Sequence, residues 1–292
     1  MKEFAYVRPA TLGEAIAAMQ ADGARALAGG TDLVPQFREG RRQADHIVDL
    51  KGIPALKDIT AASNGGLLIG ASASATRVAR HPAIAADYPS VGQSARLIGS
   101  LQVQNRASLG GNICNAAPSA DSVPALICHH ATARIAGPDG EREELLETFI
   151  RGPGKTSLQP GELLLSIVLP PPMPRSAAHY LRFTPRREMD IAIAGAAAWI
   201  RLDENRSIDD ARIVLASVGP VPIRATSAEQ ALRGERLTPE LFEAAGQRAA
   251  GDAQPISDTR SSAEYRRSLV AVLTARALAA CCATLFEEPA RS

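Results

Sequence analysis

The chain has 292 residues, 46% of them hydrophobic, and sets 32 basic residues against 31 acidic ones for a net charge of +1. That composition supplies a sizeable core and excludes a disordered chain, while the length suits one large domain or two modest ones. Scattered charge without a basic, aromatic-rich stripe argues against a nucleic-acid partner. No apolar run approaches the roughly 20 residues of a bilayer span, so no membrane segment is expected. The opening MKEFAYVRPATLGEA lacks the layout of a secretory leader, so a cytoplasmic location is expected. Cys114, Cys128, Cys281 and Cys282 include no CxxC pair, which argues against a disulfide framework and a metal or iron–sulfur cradle.

Thr11 and Glu14 form a capping box, Ile16 and Met19 an apolar stripe, and Gly23 a stop, which together predict the first helix. A strand is expected over Ala24–Ala28, ending in Gly29-Gly30, with further strands at His46–Leu50 and Gly66–Ser72 around a polar, turn-rich stretch. Helical spacing runs from Ser90 to about Leu101 and breaks at Ser108-Leu109-Gly110-Gly111-Asn112. A strand at Glu162–Leu169 meets Pro170-Pro171-Pro172, which cannot continue a regular element and reads as a linker. Beyond it, Ile191–Leu202 alternates loosely as a strand, Ala211–Val218 reads as another, and three helices follow. Thr238 caps the second of these ahead of Pro239, and Ser261 with Glu264 makes a capping box for the last. The pattern is α+β, in two domains meeting near residue 175.

Two segments carry paired glycines followed by small polar residues, Ala28–Leu33 and Ser108–Asn112. Glycine permits positive φ and close approach of a ligand, so successive amides can converge on an anion. The Thr31 and Ser108 hydroxyls add donors, and two such turns can enclose a pyrophosphate without a lysine cluster. A plain tight turn is the other reading of either pair. Gly154-Lys155-Thr156 resembles the end of a P-loop, but Phe149 stands at its first glycine position, and no GxGxxG follows a strand. His129-His130 point apart and lack ligand partners, so they are expected in packing or on the surface. Cys281-Cys282 and Trp199 read as core. No GxSxG motif offers a nucleophile.

AGGTDLVP (28–35), QVQNRASLGGNICNAAPSAD (102–121) and RREMDIA (186–192) together resemble the FAD-binding middle subunit of the xanthine dehydrogenase and carbon monoxide dehydrogenase family. The resemblance spans about Phe4 to Phe286. It implies an FAD-binding fold of the p-cresol methylhydroxylase type over 1–175, in two α/β subdomains (about 1–57 and 58–175). A C-terminal domain over 176–288 would hold a small antiparallel sheet with helices. It also implies that Leu27, Ala28, Gly29, Gly30, Thr31, Asp32 and Leu33 wrap the FAD diphosphate, and that Ser108, Gly110, Gly111 and Asn112 contact diphosphate and flavin-side groups. Cys114 and Asn115 would line the cofactor, Asp121 would take a ribose or adenine-side hydroxyl, and Leu164 would lie near the adenine. Ile98 would pack on the isoalloxazine, where animal xanthine dehydrogenases carry an aromatic residue, so their NAD binding is not carried over. Arg182 would stand near the ring. Glu188 is expected as an ion-paired surface group and Asp190 as orienting the flavin-side loop.

The implied function is an electron exit. A small subunit with two [2Fe-2S] clusters would feed this FAD, a large molybdopterin subunit would hydroxylate the substrate, and the assembly would be a dimer of heterotrimers. No catalytic acid or base and no metal site is expected on this chain. A stand-alone flavin oxidase or dehydrogenase of the same fold and a nucleotide-binding interaction module are the alternatives.

Overall fold

The computed structural model describes residues 3–286, so the boundary expected at 288 lies outside the described residues. The chain opens with β1 (Ala5–Val7), α1 (Leu12–Met19), β2 (Ala24–Leu27), α2 (Leu33–Arg38) and β3 (His46–Asp49). The strands pair in parallel in the order β1-β3-β2, with Tyr6 opposite Ile47 and Ala26 opposite Val48. At the start of α1 the Thr11 hydroxyl accepts from the Glu14 amide, as the predicted box requires, while the Glu14 carboxylate reaches one residue further back and accepts from the Ala10 amide. Ala15, Val48, Leu50, Ile53 and Leu56 bury the inner face together with Leu163 from the next unit. Because the three strands run the same way, the loops after them gather on one edge of the sheet.

Two 3-10 turns, Leu50–Gly52 and Pro54–Leu56, lead into β4 (Ile59–Ala61) and β5 (Leu67–Gly70). Helices α3 (Ala75–Ala79), α4 (Pro82–Asp87), α5 (Pro89–Arg96), α6 (Leu101–Gln104), α7 (Leu109–Asn115) and α8 (Ser122–Cys128) follow. Then come β6 (Thr132–Gly137), β7 (Gly140–Leu145), α9 (Leu146–Phe149), the hairpin β8 (Ile150–Gly152) and β9 (Lys155–Thr156), and β10 (Leu163–Leu169). An antiparallel sheet forms in the order β4-β5-β10-β6-β7. Its fully buried Ile69, Ile135, Ile167 and Leu169 cluster with Ile84, Val91, Leu109 and Leu126 of the helices.

Two helix boundaries differ from the sequence pattern. α5 ends at Arg96, and Gly99, at φ +56, turns the chain before α6. Residues 108–112, expected as a turn, instead open α7, where the Ser108 Oγ accepts from the Gly111 amide at 3.0 Å. That cap and the burial of Leu109 and Ile113 outweigh the poor helix propensity of two glycines.

The remaining strands, β11 (Ser176–Phe183), β12 (Ala194–Leu202), β13 (Ile208–Ala216) and β14 (Ile223–Arg224), form an antiparallel sheet in that order. Helices α10 (Thr226–Leu232), α11 (Pro239–Asp252) and α12 (Ala263–Phe286) complete the chain. β12 reads as a near-continuous apolar run rather than a clean alternation because both faces are covered. Ala197 and Trp199 join the core under the second unit's helices, while Ala196, Ala198 and Ile200 join the core formed with α11 and α12. Ser262, not Ser261, caps α12, accepting the Tyr265 amide at 3.1 Å. At 24 residues α12 is long and apolar enough to cross a membrane by length and composition, contrary to expectation. Its Val270, Leu273, Ala277, Leu278 and Cys281 form core, and buried Arg266 donates to the Ile193 and Ser217 carbonyls.

Candidate functional site

Arg8 follows β1, Ala28 and Gly29 follow β2, and Lys51 follows β3, so all four stand on the carboxyl edge of the parallel sheet. Open α/β sheets place their ligands there. Facing them from the second unit are Lys57, Ser72, Ser74, Arg77, Asn105 and Arg106, and the two sides flank a half-open cavity of about 440 Å³.

At this cavity the first glycine segment meets the residues that lead into the second, eighty residues away in sequence. A Cβ on Gly29 would lie 2.6 Å from the Arg106 carbonyl carbon and 2.9 Å from the Ala107 Cα. Only glycine lets the loop after β2 close on the segment leading into α7. Ser74 bridges Ser108, and the Ala75 amide donates to the Ala107 carbonyl at 2.8 Å. Gly30 is left-handed at φ +76 and turns the loop toward α2. Among the described residues, the amides of Gly29, Gly30, Thr31 and Asp32 donate to no protein acceptor. The Ser72 hydroxyl, which lines the cavity, is buried without a partner. Unpaired donors on and beside a cavity suit an anion.

The second pair behaves differently from the expected turn. Gly110 and Gly111 are helical, and Gly110 faces away from the cavity, where a Cβ would lie 2.7 Å from the Ala71 Cα. Gly111, Asn112, Cys114 and Asn115 share the part-exposed side of α7. Asn115 Oδ1 accepts from Gln36 Nε2 of α2 at 3.1 Å, and Asn112 Oδ1 accepts from the Ser122 hydroxyl at 2.7 Å. Gln36 was not singled out by sequence, yet its own carbonyl oxygen is buried in this seam without a partner. Its one signal is its place four residues after Asp32. Burial raises the Asp32 carboxyl above its ordinary value, with Arg42 and Arg41 pulling it back. Burial also pushes the Cys114 thiol up to about 12, so it stays protonated. Leu27 and Leu33 pack on Phe37, Ala44 and Ile47 and serve the fold.

A second cavity of about 410 Å³ adjoins the first. The bond from the Thr76 hydroxyl to Asn105 Oδ1, 2.8 Å, links a residue lining one cavity to a residue lining the other. Leu97, Leu101, Arg96, Arg182, Arg187 and Glu188 contribute to its lining. Ile98, expected on the flavin face, is instead turned into the core by the bend at Gly99, and Leu97 beside it lines the cavity. Leu164 is likewise a core residue on β10 and borders neither cavity.

Asp121 and Arg182, expected at separate parts of a ligand, form an ion pair with each other. The Asp121 carboxylate also accepts from the Tyr180 hydroxyl at 2.9 Å, so each of its oxygens serves one protein donor. Burial raises its carboxyl to about 6, with Arg182 and Tyr180 opposing the rise. Its evident role is to fix Arg182 at the cavity wall. Asp190 accepts from the Arg186 amide at 3.0 Å and the Ile191 amide at 2.9 Å, shaping the 186–191 loop. Glu188, expected as ion-paired, has no ion-pair partner among the described residues and lines the cavity instead. His129 sits in packing as expected, edge-on to Tyr88 and bonded to the Ser90 hydroxyl at 2.9 Å.

Comparison with known proteins matches residues 2–172 to a family described as the FAD binding domain in molybdopterin dehydrogenase. Residues 179–281 match the CO dehydrogenase flavoprotein C-terminal domain. The chain is 35% identical over 282 residues to the xanthine dehydrogenase FAD-binding subunit of Escherichia coli O157:H7, covering 95% of this chain and 96% of the relative. It is 30% identical over 277 residues to the carbon monoxide dehydrogenase medium chain of Hydrogenophaga pseudoflava, covering 94% and 96%. In structure it is similar to the carbon monoxide dehydrogenase of Hydrogenophaga pseudoflava, with a TM-score of 0.92 at 30% identity over 97% of this chain and 98% of that one. It is also similar to quinoline 2-oxidoreductase of Pseudomonas putida 86, with a TM-score of 0.91 at 27% identity over 98% and 99%.

Proposed function

This chain belongs to the family of FAD-binding subunits of the molybdopterin dehydrogenases, and from that membership we propose that it passes electrons through FAD to an external acceptor within a molybdenum hydroxylase. FAD, when bound, supplies the redox chemistry by taking electrons singly and giving them up in pairs, while the protein supplies grip and orientation. The observation that carries the reading is the cavity on the carboxyl edge of the parallel sheet. There Ala28 and Gly29 line the cavity, the Gly29–Asp32 amides have no protein acceptor, and the Ser72 hydroxyl has no partner. That donor set matches two linked phosphates. In the adjoining cavity Leu97 and Leu101 offer an apolar border for a ring system, and Asp121 holds Arg182 at its wall.

The relatives are named as an FAD-binding subunit and a medium chain, which favours a component of a larger enzyme over a stand-alone flavin oxidase. We propose a small [2Fe-2S] subunit and a large molybdopterin subunit as partners, in a dimer of heterotrimers in the cytoplasm. The test begins with the full chain purified alone and supplied with FAD. It should turn yellow with one flavin per chain, leave organic substrates untouched, and elute as one complex when co-expressed with those partners. A chain that takes up no FAD overturns the proposal. One that oxidises an organic substrate unaided restores the stand-alone reading.

A further inference from the structure

The cavity beneath Gly29 is lined by Arg8, Lys51, Lys57, Arg77 and Arg106 and by no carboxylate. Over the whole chain, basic and acidic residues cancel to within one charge. Two of the four lysines belong to this set. Lys51 is held at 2.7 Å by Asp49, which also accepts from the Tyr6 hydroxyl, and Arg77 reaches Asp58 at 3.4 Å. Burial works against the Asp49 charge, but the bonds from Lys51 and Tyr6 keep its carboxyl below the ordinary value. Arg8, Lys57 and Arg106 have no ion-pair partner among the described residues. Arg8 runs along the turn after β3, where a Cβ on Gly52 would come 3.8 Å from its Nε. Gathering like charges around one cleft is unfavourable unless an anion joins them.

We infer that Arg8, Lys57 and Arg106 form a cationic clamp on the phosphates of the bound nucleotide. Lys51, oriented by Asp49, and the Ser72 hydroxyl complete it. The clamp selects a dinucleotide diphosphate over a monophosphate. The inference rests on the FAD reading above and extends it: the phosphates are held by charge as well as by the amides of the glycine loop. Guanidinium and ammonium groups give the strong, charge-assisted bonds that phosphate oxygens accept.

The test uses the full chain stripped of flavin and titrated with FAD and with FMN by fluorescence quenching, at low and high salt. Inorganic pyrophosphate serves as competitor. The variant is Arg8→Gln/Lys57→Gln/Arg106→Gln, and Arg134→Gln, a β6 residue paired with Glu141, is the control for loss of charge alone. The triple variant should bind FAD at least about tenfold more weakly, with a smaller preference over FMN, a flatter salt dependence and no competition by pyrophosphate. None of the three side chains is buried, and an unfolding midpoint in the absence of flavin no lower than wild type shows that the variant is folded. Wild-type affinity and salt dependence in the variant overturn the clamp and leave the FAD reading intact. Equal weakening of FAD and FMN overturns the diphosphate selection. Failure of the wild-type chain to take up FAD overturns both.

Discussion

In the loop after β2, Gly30 is left-handed while Gly29 is pressed against the Arg106–Ala107 backbone; in α7, Gly110 and Gly111 are both helical and only Gly110 is pressed, against Ala71. The same dipeptide thus answers two different physical demands. Gly30 supplies a backbone conformation, Gly29 and Gly110 supply room for another piece of chain, and Gly111 meets neither demand strictly. In these two pairs, glycine twice marks where the backbone must come close to another backbone and once where it must turn.

Substitution by alanine breaks the two pairs apart in a definite order. Gly29→Ala has the largest effect, because its Cβ meets backbone on both Arg106 and Ala107, which cannot rotate away. The parallel sheet must separate from the second unit, costing about 3 kcal/mol or more in chemical denaturation and abolishing FAD uptake. Gly110→Ala follows at about 2–3 kcal/mol, since Ala71 sits at the start of the segment leading into α3 and yields slightly more easily. Gly30→Ala forces an L-residue to φ +76 and brings its Cβ to 3.0 Å from Leu27 Cδ1, for roughly 1–2 kcal/mol. Ser108→Ala removes the acceptor for the Gly111 amide and lowers stability by about 1 kcal/mol.

Gly111→Ala is the smallest and the most discriminating. Alanine's better helix propensity offsets the 3.0 Å approach of its Cβ to Ser108 Oγ, so stability should stay within about 0.5 kcal/mol of wild type. A loss of FAD affinity in this variant, measured by fluorescence, then reports contact of the ligand with the α7 face. Unchanged affinity would confine the cofactor to the first loop and the cavity beneath it.

The sequence made much of the fold legible where one local rule decided the outcome. The Thr11–Glu14 box, the strands at 24–28 and 46–50, and the proline stop after β10 are of this kind. The predictions failed where distant packing overrode local preference. Glycines at 110 and 111 read as a turn, but the Ser108 cap and the burial of Leu109 and Ile113 hold them in a helix. β1 and β11 carry too little periodicity to stand out alone, and each becomes a strand because a partner strand receives it. At the site, the glycine segments were legible as segments, but not as neighbours. Arg8, Lys57 and Arg106 come from three separate loops and look unremarkable one at a time; only the converging chain makes a single field of them. Of two adjacent aliphatic residues just before the bend at Gly99, Leu97 lines the second cavity and Ile98 packs in the core, a division the sequence does not show.

β12 has no solvent face, and this binds the two halves of the molecule into one fate. A cut at Pro170–Pro172 would bare Tyr180, Trp199 and Val214 on the C-terminal fragment and uncover Val91, Ala125 and Leu126 on the other. Neither fragment could be expressed as a well-behaved product, and heating the intact chain should give one endotherm instead of two. Evolution can therefore lengthen the loops around this sheet, but it cannot exchange one half for a foreign module without rebuilding the surface they share.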